Sequence, residues 1–310
     1  MPNLTHNNLL QVTRPAWGLA LAVLCVHSVI AIKHGGPVAV PDIPSYLHHA
    51  RSFTGLGEDL NTQFHPGIGL LLTPVVLMGV DGGGLHTAGL LFNGLVAAAA
   101  IPLTYRLAAR LGASRRISII ACVVCAVFPV FAAGSRTAWP EPLLALAVLV
   151  ISVSLAAGTK KGLITAGFVS ALSVAVHPRA VVFCTVLIGL LALRSYRRTP
   201  GSLLLGVTAG AVVTTASLIV TSTWLWPRVS ASLNTATVDQ RLFVVVGQLA
   251  AVMGVSCGFA WFAAAAAWRN RNDATGASHA VMFNVFGVLV MAVLGGWVLG
   301  GGDRPDLVMY

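Results

Sequence analysis

Apolar runs recur along this chain from Trp17 onward, separated by short polar stretches. Most are near 20 residues, and a helix of about 20 residues crosses a ~30 Å hydrocarbon core. Candidate spans fall at residues 16–33, 86–105, 117–133, 141–158, 162–176, 180–193, 202–224, 242–267 and 280–300. The pattern predicts an all-α, polytopic integral membrane protein with about nine transmembrane helices. The run HPGIGLLLTPVVLMGV, residues 65–80, is short and carries Pro66 and Pro74. It predicts an interfacial or re-entrant helix rather than a span. Residues 34–85 then form one long external loop containing juxtamembrane helices. The short runs 162–176 and 180–193 read as two thin spans or a re-entrant pair.

Composition agrees with the pattern. Of 310 residues, 56% are hydrophobic and only 9% are charged, where soluble domains have roughly a quarter charged. The net charge is +10, but no basic tail or aromatic-basic motif suits nucleic acid. The basic residues instead gather in the loops RLAARLGASRR, GTKKG, RSYRRTPG and WRNRND. With these loops and the N-terminus cytoplasmic, twelve of the nineteen Lys and Arg residues lie inside, as the positive-inside rule requires. Eight of the nine acids then fall outside, Asp273 being the exception. The rule does not demand that segregation, so it points to an acidic external working surface. The polar N-terminal segment and first apolar run read as an uncleaved anchor. Asn3-Leu4-Thr5 is a chance match to the glycosylation sequon on the cytoplasmic side. These features predict a multi-pass membrane protein with a cytoplasmic N-terminus and membrane lipids as its surroundings.

The polar chemistry collects at the external ends of the runs. VPDIPSYLHHARSF supplies Asp42, Tyr46, His48, His49 and Arg51, and His65 opens the short apolar run. GSRTAWPEP supplies Arg136 and Glu141, and VHPRA supplies His177 and Arg179. Asp42 and Glu141 each sit where an acid favours a helix N-terminus, so capping alone competes with a chemical role. Arg179 can snorkel, yet two arginines at one interface also suit a lipid phosphate, which guanidinium groups bind by paired hydrogen bonds. The residues call for no organic cofactor: there is no phosphate-binding glycine loop and no dinucleotide fingerprint. A divalent cation is the remaining alternative. Neighbouring histidines on a helix point about 100° apart, so His48 and His49 rarely share one ion, and no metal ligand is assigned. The five cysteines, including the Cys122–Cys125 pair, lie in apolar runs and read as small core residues.

The order of short motifs resembles a known family. After the first span comes D-x-x-x-Y-x-x-x-A-R, here Asp42, Tyr46, Ala50 and Arg51. Next is H-P-G-x-x-x-L-L-x-P from His65, then Y-R-L-A-A-R-L-G from Tyr105 to Gly112, then SRTAWPEPLLAL. This arrangement is similar to the GT-C superfamily of membrane glycosyltransferases, including protein O-mannosyltransferase-like and aminoarabinose-transferase-like enzymes. The resemblance covers roughly residues 16–225 of a single membrane domain 1–310. It implies inverting transfer of a sugar from a polyprenyl-phosphate carrier to a glycan, lipid or protein acceptor at the external face. It also implies Asp42 as the general base, Glu141 as the second acid, and Arg136 and Arg179 on the lipid phosphate. Tyr46, Arg51, His65 and His177 fall in the same substrate-binding set.

Two departures stand out. Asp42 is followed by Ile43 where relatives place paired acids, and Glu58-Asp59 lie 16 residues on. The chain also ends at GGGDRPDLVMY, which reads as the start of a further external segment, so residues 226–310 are expected to be an incomplete C-terminal part. A transporter or flippase-like protein and a non-catalytic remnant that binds lipid-linked sugars are the competing readings. The first wants mid-membrane polar groups, and His27 is the main one noted.

Overall fold

The computed structural model describes residues 6–33, 43–56 and 66–177, with short helical pieces between 180 and 287. Every regular element among the described residues is a helix. The predicted spans beyond residue 180 lie outside the described residues, apart from those pieces. The chain divides into two compact units, residues 1–60 with 66–153, and residues 61–65 with 154–310.

In the first unit, α1 runs His6–Lys33 and α4 runs Gly83–Arg110. Among the described residues two helices are long and apolar enough to cross a membrane, Arg14–Lys33 within α1 and the whole of α4. α1 extends further back than the predicted span, with Pro15 accommodated inside it. Its buried positions are Ala16, Ala20, Val23, His27 and Ala31, which recur at helical spacing. Its outward positions are large and apolar: Trp17, Leu21, Val29 and Ile32 are each more than half exposed. Small residues inward and large apolar residues outward suit a helix packed in lipid, where close backbone approach replaces hydrophobic drive. The approach is close at Gly94 of α4, where an added Cβ would stand 2.9 Å from His27 Cβ.

α5, Arg115–Ala126, continues the pattern. Ser118, Cys122 and Cys125 face inward, while Ile117, Ile120, Val124 and Val127 are exposed. The α4–α5 turn ends on Gly112 at φ 87°. Gly112 N–H donates to Ala109 O, and Ala113 N–H donates to Ala108 O, the pairing of a Schellman stop. Ser114 then caps α5, accepting from Ile117 N–H.

The single span predicted over 117–133 is broken. α5 stops at Ala126, and a short helix α6 begins at Pro129 and ends at Gly134. Proline lacks the N–H that would continue the helix, and it pushes the preceding residue toward extended backbone. Phe128 accordingly has ψ 131°.

α7, Glu141–Ala156, begins in the first unit. Arg110 at the end of α4 donates to the carbonyl of Val153 near the end of α7. In the second unit α8 runs Lys160–Val176. Its N-cap Thr159 accepts from Gly162 N–H at 3.0 Å.

Two shorter helices fill the segment between α1 and α4. α2 is Ile43–Ser52 and α3 is Gly67–Leu77, with Pro74 inside it. α3 is apolar yet only 11 residues long, about 16 Å at 1.5 Å per residue, too short to span. Leu70, Leu71, Leu77 and Met78 on it or just after it are exposed.

Candidate functional site

Two of the polar segments that the sequence singles out, α2 and residues 135–140, meet on one face of α4. The buried stripe of that helix reads His86, Leu90, Asn93 and Ala97, each at most 3% exposed. Beside it lies Gly89, and what surrounds this glycine shows the convergence. An added Cβ would stand 2.9 Å from Ala138 Cβ, 3.7 Å from Leu47 of α2 and 3.8 Å from Leu72 of α3. Glycine is needed here because three segments use the space a side chain would occupy.

α2 is held in this junction along its length. At Gly69 of α3 an added Cβ would fall 2.4 Å from His49 Cβ and 2.9 Å from Ala50 N, so α2 and α3 cross nearly backbone to backbone. Tyr46, His48, His49 and Ala50 are buried in consequence. His48 Nε2 lies 2.9 Å from Ser52 Oγ, one turn on. The His49 ring stacks on Phe53 at a centroid distance of 6.3 Å. At its C-terminal end Arg51 pairs with Asp81 at 3.3 Å, both side chains about half exposed. Asp81 also accepts from Gly82 N–H at 2.7 Å, which places an acid just ahead of the N-terminus of α4, where the helix dipole favours it. An ion pair this exposed is worth up to about 1 kcal/mol, so it orients α2 more than it stabilises it.

The second polar segment, residues 135–140, is tied to the same helix. Asn93 Nδ2 donates to Thr137 O at 2.9 Å and to Trp139 O at 3.2 Å. The hydroxyls of Ser135 and Thr137 turn back onto Ala132 O and Ala133 O. The segment leads straight into Glu141, the first residue of α7.

The expected site residues divide accordingly. Tyr46 is buried in α2, and Arg51 is engaged with Asp81. Arg136 is exposed on the 135–140 segment, and Glu141 is half-buried at its end. His177 is half-buried at the end of α8 in the second unit. Asp42, His65 and Arg179 lie outside the described residues, although Asp42 immediately precedes α2 in sequence. Among the described residues no group of three or more metal-ligand side chains comes together. Cys122 is buried, its thiol donating to Ile101 O at 3.4 Å, which is the packing role expected of it.

The residue that sequence reasoning passed over is Asn93. A lone amide inside LLFNGLVAAAA was the available signal, because a polar side chain in an apolar helix asks for a specific partner. His86 was missed for the same reason. It is 3% exposed, and neither ring nitrogen has a hydrogen-bond partner among the described residues. No family model, curated protein or solved structure matches this chain.

Proposed function

We propose that this chain is a multi-pass glycosyltransferase of the GT-C kind, moving a sugar from a polyprenyl-phosphate carrier to an acceptor at the external face of a bacterial cytoplasmic membrane. The reading takes about nine spans from the apolar runs and an N-terminus inside from the charge distribution in the loops. The observation that carries the reading is the junction at Gly89. There α2, whose first residue follows Asp42, and Ala138, three residues before Glu141, approach the same turn of α4. The two acid-bearing segments are 99 positions apart in sequence, and a transfer site needs both at one place.

The chemistry assigned to the residues is simple. Asp42 takes the proton of the acceptor hydroxyl as the new glycosidic bond forms, which a carboxylate does when it lies within hydrogen-bond reach. The bond from the sugar's anomeric carbon to the phosphate oxygen breaks with inversion. Arg136 and Arg179 stabilise the departing lipid phosphate. Glu141 is the second acid of the site, and Tyr46, Arg51, His65 and His177 shape the surroundings. No metal is assigned a step.

The test uses membrane vesicles holding the full chain and a synthetic polyprenyl-phosphate hexose. Asp42→Asn removes transfer while the protein still inserts and accumulates. Full activity in that variant would sink the base assignment. Solute uptake by reconstituted vesicles with no transferred sugar would favour the transporter reading instead.

A further inference from the structure

The segment 134–142 closes on itself around one side chain. A Cβ added at Gly134 would stand 2.6 Å from Pro142 Cγ and 3.6 Å from Asn93 Cβ. Its two ends therefore meet beside Asn93, whose amide reaches two carbonyls of the same segment, Thr137 O and Trp139 O. Asn93 is 2% exposed, Ser135 4% and Thr137 8%, and Pro140 and Pro142 are fully buried. Residues 137–140 are not helical, and non-helical backbone within an apolar protein needs its carbonyls satisfied internally. One amide nitrogen carries two N–H donors and can serve both. Aspartate has the same shape and leucine the same branching at Cγ, but neither supplies those donors.

This closed segment carries two of the proposed site residues. Arg136 is exposed on it, and Glu141 lies between its two buried prolines. We propose that Asn93 is a positioning residue, which clamps residues 134–142 from the adjoining helix and so holds Arg136 and Glu141 as a fixed pair. What the pair does rests on the transferase reading; the clamp itself does not. Asn93 touches neither sugar nor phosphate and acts only through the backbone it holds. Gly89 works with it, since Ala138 lies against the space its side chain would fill.

The experiment uses the full chain in lipid nanodiscs, labelled with 5-fluorotryptophan, with the Trp139 resonance assigned by Trp139→Phe. The variants are Asn93→Asp, Asn93→Leu and Asn93→Gln, and Gly89→Ala as a change that presses on the segment without touching the amide. Asn93→Asp and Asn93→Leu are expected to shift or broaden the Trp139 resonance. They lower kcat for transfer from polyprenyl-phosphate hexose on the order of 100-fold, the size of effect that a displacement of about 1 Å produces. Asn93→Gln, which keeps the amide on a longer arm, retains more activity than either. Exchange protection of α1 and α4 stays at the wild-type level, which separates positioning from a general loss of fold. An unchanged Trp139 resonance in both Asn93→Asp and Asn93→Leu overturns the clamp. A moved resonance with wild-type kcat overturns the positioning role. If the wild-type protein transfers no sugar, the transferase reading fails alone, and the Trp139 resonance still decides the clamp.

Discussion

Replacing Gly69 with alanine tests whether α2 is seated on α3 by backbone contact. The added methyl would sit 2.4 Å from His49 Cβ, 2.9 Å from Ala50 N and 3.0 Å from His49 C. Non-bonded carbons prefer about 3.5–4.0 Å, so the helices must part by roughly 1 Å. Two of the three obstructing atoms are backbone, so no rotamer change relieves them. Overpacking of this kind costs about 1–3 kcal/mol, and a rigid obstruction belongs at the upper end. Alanine returns up to about 1 kcal/mol through helix propensity. The net loss is then about 1–2 kcal/mol, a factor of about 5–30 in the local equilibrium. α2 has only 10 residues, and a helix that short is marginal without its packing, so the loss falls on α2 itself. Hydrogen exchange of peptides covering 43–56, measured in nanodiscs, should speed up by about that factor while α4 stays protected. Gly18→Ala is the control, because nothing lies within 4 Å of its added methyl; it should leave α2 unchanged. Equal protection of α2 in both variants would refute the close crossing.

The remaining predictions follow from single contacts. Gly94→Val crowds His27, where even a Cβ stands at 2.9 Å; thermal unfolding in detergent should show destabilisation of about 1–3 kcal/mol. Ser114→Ala removes the cap of α5 and should cost about 1 kcal/mol in the same assay. Arg51→Ala and Asp81→Asn should each cost no more than about 1 kcal/mol, with a double-mutant cycle giving a coupling that weakens as salt rises. A thiol-directed maleimide should leave buried Cys122 unmodified until the protein unfolds.

What the sequence by itself determined is the helical class, the short unspanning helix at 67–77 and the gathering of acid and arginine at run ends. Those follow from run length, proline position and charge, which act locally and need no knowledge of neighbours. The break between α5 and α6 was legible in Pro129, although apolar continuity through residues 117–133 concealed it. Only tertiary structure decided which segments meet. Gly69, Gly89, Gly94 and Gly134 look alike in the sequence, yet each marks a different crossing, because a missing side chain records nothing of what occupies its place. Asn93 is the sharpest case. As one polar letter in an apolar helix it announces a partner without naming it, and the partners are two carbonyls 44 and 46 positions along the chain. Hydrogen bonds of that kind depend on where the backbone has been carried, which no local pattern encodes.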